Sequence, residues 1–475
     1  MKNITVFILI SFVMAVNLCN PCYAQYTKLH DFTGNPDGSE LGDYFSFISD
    51  GTFLYGMTGG GGLNNLGTIF KIKPDGTGYT KLLDFAGISN GGGPNGSFIS
   101  DGNFLYGMTR GGGTNNMGTI FKIKPDGTAY YKLHDFDSIN GKIPFGSLFT
   151  DGTFFYGTTY YGGTYNTGTI FKIMTDGTGF TKLHDFAVPS GENFPMGSLI
   201  SDGTFLYGTT YGANPGNSAT VFKIKPDGTG YSTVFSFNNP VFVKPAGSLI
   251  YDGSFLYGMT DGGTNNMGTI FKIKTDGTGY FKILDFSGVS NGNLPVGSLI
   301  SDGTFLYGTT EDGGTGNFGG PYGSGVAFKI KPDGTLYSKL VDFVGASNGA
   351  NPCGSLFIDG NFLYGMTHSG GTGSCWASTG CGTIYKLGLT TGITENNEAS
   401  DFSIYPNPCN GIFTIEGKEN DYTIFITDIL GQKIYQSEIK NNKAEIDLSR
   451  QPKGLYFMQI TDENKSVVNK KIIIQ

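Results

Sequence analysis

Residues 50–58 read DGTFLYGMT, and six further copies of this phrase follow along the chain. A second phrase, GTIFKI, first seen at residues 67–72, and a third, GSLI or a variant of it, recur with the same period. The aspartates that open the first phrase are Asp50, Asp101, Asp151, Asp202, Asp252, Asp302 and Asp359. A spacing of about 50 residues is typical of repeat architectures, in which each unit buries its apolar face against its neighbours.

Each repeat contains four short apolar and aromatic segments, represented by GSLISD, FLYGTT, GTIFKI and YTKLHDF. Their length and their boundaries at Gly, Asp, Asn or Pro predict β-strands. Asp-Gly pairs separate the first segment from the second and the third from the fourth, and such pairs favour tight hairpin turns. Four antiparallel strands in about 50 residues match the size of one blade of a β-propeller.

The fourth segment also stands in front of the first full repeat, as YTKLHDF at residues 26–32. The last repeat ends near Leu387 without a fourth segment of its own, so the N-terminal copy can complete it. This arrangement closes the array into a ring, whereas an open solenoid needs capping repeats. The predicted fold class is all-β, with a seven-bladed β-propeller at residues 25–390 closed by an N-terminal strand, and a small C-terminal β-sandwich.

The composition excludes one large class of partners. The 475 residues carry a formal net charge of −8, so the chain lacks the basic footprint that nucleic-acid binding requires. Residues 1–24 combine Lys2, an apolar run and a small residue at Ala24, which predicts a secretory signal peptide cleaved after Ala24. The alternative is a lipoprotein signal at Cys19 or Cys22. It is less favoured because the residues before these cysteines are not small.

The repeat pattern ends before the C-terminal region. Residues 391–400 are polar and predict a linker, and residues 401–475 contain more charge and less glycine than the repeats. Alternating segments such as GIFTIEG, YTIFITD and LYFMQITD predict a small Ig-like β-sandwich.

The C-terminal residues resemble the sorting domain of the type IX secretion system. The resemblance rests on IYPNPCNGIFTIEG, TDILGQKIYQ and LSRQPKGLYFMQI, followed by NKKIIIQ. The positions that match the signature are Tyr405, Pro406, Asn407, Pro408, Asp428, Gly431, Gly454, Leu455 and Tyr456. The resemblance implies that the type IX machinery is a partner, and that the protein passes through the periplasm to be secreted or held at the outer-membrane surface.

The repeats resemble a second family. The pattern of DGTFLYGTT, a glycine-rich loop, GTIFKI and then LHDF is similar to the GloVer-type tandem repeat of bacterial surface proteins. The similarity covers nearly all of residues 26–390. The family is defined by its repeats and its varied anchors, so the resemblance implies surface delivery and no particular activity.

Residues that recur in every repeat are expected to serve the blade. His30, His134 and His184 share a slot that Leu or Phe fills in other repeats, which indicates packing. Lysines of the Lys71 type and aspartates of the Asp84 type recur in the third and fourth strands. We expect them to form a cross-strand ion pair or a solvated outer edge, with a charged binding ring as the less favoured alternative.

The loops between the second and third strands differ from repeat to repeat, and they lie together on one face of the predicted ring. A diversified face on a uniform framework predicts a non-catalytic binding surface, with an extracellular polysaccharide or a surface protein as its partner. Drift of exposed loops is the simpler alternative. The candidate binding residues are Arg110, Tyr160, Tyr161, Tyr211, Asp261, Glu311, His368 and Trp376.

An enzyme is the competing interpretation. Asp261, Glu311, Asp312 and His368 come from the adjacent fifth, sixth and seventh repeats, and acids placed near one another can serve a glycan hydrolase or lyase. The sequence contains no nucleophile motif, metal-ligand spacing or phosphate loop, so we assign no catalytic residue and expect no cofactor and no metal.

Four cysteines remain after the predicted cleavage. Cys375 and Cys381 flank a five-residue loop and predict a disulfide in an exported protein, with two free thiols as the alternative. Spacing alone assigns no partner to Cys353 or Cys409.

Overall fold

The computed structural model describes residues 24–475 apart from 42–44, 188–192, 213–218, 238–242, 319–321, 353, 376–379, 390–401, 418–421, 428–432, 441–442 and 463–466. The predicted signal peptide and linker therefore lie outside the described residues, except for Ala24. Strands and turns make up the regular structure of the described part, which contains no α-helix. The chain divides after Leu389 into two compact units.

The first unit begins with strand β1, which spans Tyr26–Asp31. Sheet 1 contains β2 (Ile48–Ser49), β3 (Leu54–Thr58), β4 (Thr68–Ile72) and β5 (Thr80–Asp84). Sheet 2 contains β6 (Gly92–Pro94), β7 (Ile99–Ser100), β8 (Leu105–Gly111), β9 (Thr119–Ile123) and β10 (Tyr131–Asp135). Sheet 3 contains β11 (Lys142–Thr150), β12 (Phe154–Tyr161), β13 (Thr169–Met174) and β14 (Thr181–Asp185).

The later repeats follow the same plan. Sheet 4 contains β15 (Pro195–Ser201), β16 (Leu206–Thr210), β17 (Thr220–Ile224) and β18 (Ser232–Ser236). Sheet 5 contains β19 (Pro245–Tyr251), β20 (Phe255–Thr260), β21 (Thr269–Lys274) and β22 (Phe281–Asp285). Sheet 6 contains β23 (Ile300–Ser301), β24 (Leu306–Thr310), β25 (Val326–Ile330) and β26 (Ser338–Asp342). Sheet 7 contains β27 (Phe357–Asp359), β28 (Phe362–Thr367) and β29 (Thr383–Gly388).

Each sheet is antiparallel and follows chain order, with β6 and β7 sharing the first position of sheet 2. Sheet 7 takes its fourth strand from the other end of the unit, because β1 pairs with β29. In this pairing Tyr26 lies opposite Leu387 and Asp31 lies opposite Thr383. The N-terminal copy of YTKLHDF thus occupies the place that β5 takes in sheet 1.

The second strand of each sheet is buried on both faces, which explains its aromatic and small residues. In sheet 1 every residue of β3 is buried. A Cβ atom on Gly56 would lie 2.5 Å from Cζ of Phe70, so only glycine leaves room for that ring. Tyr55 is buried, and its hydroxyl donates a hydrogen bond to Oδ2 of Asp50 at 2.7 Å. The same bond joins the DG turn to the core in sheets 1 to 6.

Neighbouring sheets contact one another through an aromatic pair that repeats seven times. The phenylalanine that follows the fourth strand meets an aromatic ring on the third strand of the next sheet, edge to face, with centroids 5.0–5.5 Å apart. The pairs are Phe32–Phe70, Phe85–Phe121, Phe136–Phe171, Phe186–Phe222, Phe237–Phe271, Phe286–Phe328 and Phe343–Tyr385. Such pairs add about 0.5–1.5 kcal/mol each beyond the area they bury.

The first strands are linked by a relay of serines. The N–H of Ser97 donates to Oγ of Ser147 at 2.7 Å, and the same bond joins the serines of the sheets that follow. The further pairs are Ser147–Ser198, Ser198–Ser248, Ser248–Ser298 and Ser298–Ser355. At sheet 7 the N–H of Ser355 donates to the carbonyl oxygen of Phe45, which precedes sheet 1.

The histidines of the fourth strand pack between sheets. The rings of His30, His134 and His184 stack on Tyr79, Phe180 and Tyr231 with centroids 3.8–4.0 Å apart. Leu83, in the same slot, is likewise partly buried against an apolar cluster. This stacking explains why the slot accepts Leu and Phe elsewhere.

The expected ion pair between the third and fourth strands is wrong. Asp84 lies opposite Thr68, while Lys71 lies opposite Thr80, so the register holds the two charges apart. Asp84 instead pairs with Lys81 on its own strand at 2.8 Å. Lys71 places its ammonium 4.7 Å from the ring centroid of Phe53. The charges of this edge are therefore satisfied locally.

The second unit contains two antiparallel sheets. Their strands are β30 (Phe402–Tyr405), β31 (Ile412–Gly417), β32 (Tyr422–Thr427), β33 (Lys433–Ile439), β34 (Lys443–Asp447), β35 (Gly454–Asp462) and β36 (Val467–Ile474). One sheet has the order β30-β31-β34 and the other β33-β32-β35-β36. They share a core that includes Ile415, Ile424, Met458 and the buried thiol of Cys409. Cys353, Asp428 and Gly431 lie outside the described residues.

Candidate binding face

The residue that follows the second strand's buried threonine varies among the sheets, and the structure gives it a fixed place. Its N–H donates to the carbonyl of one residue of the incoming loop, which precedes a proline in sheets 4 to 7 and precedes Leu41 in sheet 1. Tyr211 bonds in this way to Phe194, Asp261 to Lys244, and Glu311 to Leu294, each at 2.9 Å. His368 bonds likewise to Asn351, and Gly59 to Glu40. Two variable side chains per sheet therefore leave the backbone side by side.

The residue before the proline is a position that the sequence analysis missed. Its φ angle is positive in six of the seven copies, including Gly93 (57°), Ile143 (55°) and Phe194 (57°), and Lys244 is not among them. A positive φ is costly for a bulky or β-branched residue, by about 1–3 kcal/mol, and it persists only where surrounding contacts fix it. At Phe194 these contacts are the N–H bond to the carbonyl of Thr167 at 2.8 Å and the carbonyl bond to Tyr211.

Sheets 3 and 4 bring four aromatic rings together on this face. Tyr160 packs against Phe145, Tyr161 and Phe194, with centroids 5.5, 4.7 and 5.1 Å away. Tyr161 also meets Phe194 edge-on at 5.4 Å. All four side chains are half-buried, so each keeps part of its surface open to solvent. We call Phe145, Tyr160, Tyr161 and Phe194 the aromatic cluster.

The end of β12 holds the two tyrosines in place. Oγ1 of the buried Thr159 donates to the carbonyl of Tyr161 at 2.9 Å and also contacts Oγ1 of Thr169. Lys142 lies opposite Tyr161 across the strand pair, and its ammonium lies 5.8 Å from the Tyr161 ring centroid. The cluster is thus anchored by backbone pairing and has a cation at one end.

A second group lies where sheets 4 and 5 meet. Nζ of Lys244 donates to Oη of Tyr211 at 2.7 Å and lies 3.9 Å from the centroid of the same ring. The backbone N–H of Lys244 donates to Oδ1 of Asp261 at 2.9 Å. Tyr211 joins this group to the aromatic cluster through its backbone bond to Phe194. We call Tyr211, Lys244 and Asp261 the Lys244 group.

Two carboxyl groups of the face have shifted pKa values. Burial raises the pKa of Asp261, and the N–H and the positive charge of Lys244 lower it only in part. Burial also raises the pKa of Asp312. The pKa of Tyr160 is raised by burial and then by the neighbouring Tyr161 and Tyr211, so its hydroxyl stays protonated. The ionised forms of Asp261 and Asp312 are therefore less favourable on this face than they would be in water.

The remaining predicted residues lie along the rest of the face. Arg110 is exposed at the end of β8. Asp312 lies within 3.5 Å of Nδ2 of Asn351, which also donates to the carbonyl of Glu311 at 3.2 Å. His368 is exposed, and its Nδ1 lies 3.2 Å from Oγ of Ser369. Trp376 lies outside the described residues.

The structure therefore brings Tyr160, Tyr161 and Tyr211 together with Asp261, but through residues that the sequence analysis did not name. These are Phe145, Phe194 and Lys244. The available signal was the residue at the pre-proline position. It varies from repeat to repeat as much as the residue after the threonine does.

The loop of sheet 7 is closed by a disulfide between Cys375 and Cys381, whose Cα atoms lie 5.1 Å apart. It borders a cleft of about 570 Å³ lined by Thr33, Gly34, Asn35, Ser39, Asn65 and Ser374. This cleft lies between the loop of sheet 7 and the chain that leaves β1.

Two features are absent from the part of the chain that the structure describes. No three His, Cys, Asp or Glu side chains are grouped so that they could hold a metal ion within that part of the chain. No helix there is long and apolar enough to cross a membrane.

One curated relative shares sequence with the chain. An endo-acting ulvan lyase of Formosa agariphila is 31% identical over 121 residues, which cover 24% of this chain. The match covers 23% of that enzyme, so the chain spans under a quarter of its length.

Solved structures show that the fold is shared with proteins of different activities. An oligogalacturonate lyase of Vibrio parahaemolyticus superposes with a TM-score of 0.51 at 12% identity, covering 77% of this chain and 94% of that one. A second oligogalacturonate lyase, in complex with manganese, gives a TM-score of 0.52 at 12% identity, with coverage of 77% and 93%. A puromycin-hydrolyzing peptidase of Mycobacterium tuberculosis gives 0.50 at 14%, with coverage of 81% and 61%.

Two families match the chain itself. Residues 18–219 match the Gloeobacter/Verrucomicrobia repeat, and residues 403–475 match the secretion system C-terminal sorting domain. Both resemblances predicted from the sequence are confirmed. The sorting domain implies handling by the type IX secretion machinery, with export to the cell surface or secretion. The chain thus combines a segment that matches the Gloeobacter/Verrucomicrobia repeat with a C-terminal segment that matches a secretion system sorting domain.

Proposed function

We propose that residues 25–390 form a closed propeller of seven blades, and that this unit binds an extracellular polysaccharide without cleaving it. Type IX secretion delivers it to the cell surface or the medium, where such polymers are available. The sheets described above are the blades, and β1 completes the last of them. The aromatic cluster is the observation that carries the binding proposal.

The pairing of β1 with β29 supports the closed ring. The edge-to-face aromatic pairs support it further, because they join every sheet to the next, including sheet 7 to sheet 1 through Phe32 and Phe70. The serine relay gives a second chain of contacts through the first strands. A ring of this kind leaves no terminal face that needs a cap.

The aromatic cluster supports a sugar ligand. Aromatic rings present a flat apolar face and cost little conformational entropy when a ligand orders them, so they serve well as anchors. The cluster is held by fixed backbone bonds and by the positive φ of Phe194, so its rings are positioned before a ligand arrives. Preorganisation of this kind reduces the free-energy cost of binding.

The proposal is tested by affinity electrophoresis and calorimetry of the purified protein with a panel of soluble polysaccharides. Phe194→Ala and Tyr160→Ala should each weaken binding about tenfold or more, since each tenfold change corresponds to about 1.4 kcal/mol. Leu294→Ala is the matched control, because Leu294 fills the slot of Phe194 in sheet 6 and also has a positive φ. Equal affinity for all three variants and the wild-type protein would contradict a site at the cluster.

A glycan lyase is the second candidate, and the Lys244 group favours it. In β-elimination from a uronate, a base takes the proton next to the carboxylate, a C=C bond forms, and the C–O bond to the leaving sugar breaks. The leaving oxygen then takes up a proton. Lys244 can offset the charge of the substrate carboxylate, and the hydroxyl of Tyr211, 2.7 Å from its ammonium, can move the proton.

The two functions give different products. A lyase releases unsaturated oligosaccharides, which absorb ultraviolet light, and Tyr211→Phe would abolish this release while leaving binding in place. Binding with no release over a long incubation supports the non-catalytic proposal. Release that Tyr211→Phe removes would overturn it in favour of the lyase.

A further inference from the structure

We infer that the polysaccharide is acidic and that Lys244 is the residue that binds its anionic groups, carboxylates or sulfate esters. This inference rests on the proposed polysaccharide-binding function, and it names the class of ligand.

Lys244 is the one cation among the residues at the pre-proline position. The other sheets place Gly93, Ile143, Phe194, Leu294 and Asn351 there, and sheet 1 has Glu40 at the equivalent position before Leu41. The position projects a side chain beside the variable residue of the same sheet, so its occupant decides the chemistry of that part of the face. In sheet 5 that occupant is a primary ammonium at the edge of the aromatic cluster.

The ammonium of Lys244 is held in place by its contacts with Tyr211. It bonds to Oη of Tyr211 at 2.7 Å while lying 3.9 Å from the centroid of that ring. A cation placed against an aromatic ring gains about 0.5–2 kcal/mol, and an ammonium carries three donor hydrogens. Its position therefore suits an anion that approaches along the ring.

A second cation lies at the other end of the cluster. Lys142 lies 5.8 Å from the Tyr161 ring centroid, on the side of sheet 3, and Arg110 is exposed on the neighbouring sheet 2. Cations thus stand on both sides of the aromatic cluster, in a protein whose formal net charge is −8. A polymer with an anionic group on successive sugars meets aromatic faces and cations in turn.

The test compares polygalacturonate, dextran sulfate and neutral dextran as ligands of the full-length protein. Polygalacturonate, dextran sulfate or both should bind at least about tenfold more tightly than neutral dextran, and this preference should shrink as salt is added, since salt screens charge interactions. Binding of polygalacturonate alone identifies a carboxylate site, and binding of both polymers identifies a general anion site.

The variants are Lys244→Gln, Lys244→Arg and Lys225→Gln. Lys225 is exposed at the turn between β17 and β18, so its variant removes one positive charge away from the face. Lys244→Gln should lose about tenfold in affinity for the acidic polymer, while Lys244→Arg and Lys225→Gln should retain it. Thermal unfolding of each variant shows that it is folded.

Two failures are distinguishable. If neutral dextran binds as tightly as the acidic polymers, or if Lys244→Gln behaves like Lys225→Gln, the acidic-ligand inference is wrong while the polysaccharide proposal stands. If no polymer of the wider panel binds, the polysaccharide proposal itself is wrong.

Discussion

Tyr26 donates a hydrogen bond from its hydroxyl to the carbonyl oxygen of Asn348 at 2.8 Å, across 322 residues of chain. Its ring also stacks on Tyr385 with centroids 5.9 Å apart. Burial raises the pKa of Tyr26, so its hydroxyl remains a donor throughout the physiological range. The start of the repeat region is thereby fixed to its last sheet.

The pairing of β1 with β29 predicts that Phe32, next to this strand, contributes measurably to stability. Phe32 is fully buried against Phe70, so Phe32→Ala should lower the free energy of unfolding by about 3–5 kcal/mol, as truncation of buried phenylalanines does. Phe136→Ala is the control, because Phe136 is equally buried and makes the same contact with Phe171 inside the array. Urea unfolding of both variants checks this. A normal midpoint for Phe32→Ala beside a lowered midpoint for Phe136→Ala would show that the N-terminal strand is not part of the fold.

A second prediction concerns acid stability. Six aspartates, Asp50, Asp101, Asp151, Asp202, Asp252 and Asp302, each accept a hydrogen bond from a tyrosine hydroxyl at 2.7–2.8 Å. Partial burial alone would raise the pKa of Asp202, but the N–H groups of Phe205 and Thr204 and the hydroxyl of Tyr207 bring it below its usual value. A lowered pKa stabilises the fold above the unfolded pKa of about 3.9, and this stabilisation disappears as pH falls through the folded pKa.

The melting temperature should therefore fall steeply below about pH 4. Asp202→Asn should melt lower than the wild-type protein at neutral pH, because the amide cannot carry the charge that these donors stabilise. The difference should close in acid, where the wild-type aspartate is protonated too. Melting curves of both proteins across a range of pH test this prediction. A difference in melting temperature that stays constant with pH would show that the carboxylate charge contributes nothing to stability.

The parts of the fold that the sequence predicted are those that local chemistry specifies. Asp-Gly turns, short apolar segments and a constant period define four strands per repeat. The surplus copy of YTKLHDF at residues 26–32 pointed to the strand pairing with Thr383–Gly388. The predicted ion pair between Lys71 and Asp84 was wrong for a different reason. It depends on the shift in register between Ile69 and Phe70, which cannot be predicted from residue types.

The candidate binding face was only half predictable. The variable positions after each threonine were visible as differences between repeats, and Tyr160, Tyr161 and Tyr211 followed from them. Phe194 and Lys244 vary in sequence too, but their place on this face could not be predicted, because local propensity does not favour a positive φ at Phe194 and because Lys244 contacts Tyr211 from a neighbouring sheet. Contacts between sheets depend on how the sheets are arranged, which no single repeat encodes.

The disulfide of sheet 7 gives a third prediction. Cys375 and Cys381 are six positions apart, and the loop-entropy relation assigns about 2 kcal/mol to so short a loop. Reduction should lower the free energy of unfolding by this amount, measured by urea titration with and without reductant. The double variant Cys375→Ser with Cys381→Ser should match the reduced wild-type protein and ignore reductant. A further loss on adding reductant to the double variant would reveal a second disulfide.

The last prediction concerns the ionisation of Asp261. Because burial raises the pKa of this carboxyl, the folded state binds its proton more tightly than the unfolded state does. Stability therefore falls as pH rises from the unfolded pKa of about 3.9 through the higher folded pKa, and the charged form destabilises the fold at neutral pH. Asp261→Asn should melt higher than the wild-type protein at neutral pH, since the amide oxygen can still accept the N–H of Lys244.

The same substitution should change binding. Asp261 lies beside the cation proposed to hold the anionic groups of the ligand, so its negative charge opposes them. Asp261→Asn should bind polygalacturonate more tightly at neutral pH and lose the gain in affinity that the wild-type protein shows in mild acid. Asp312→Asn is the control, because burial raises the pKa of Asp312 too, but its carboxyl contacts Asn351. It should raise the melting temperature without changing affinity, and an equal effect of both variants on binding would contradict an anion site at Lys244.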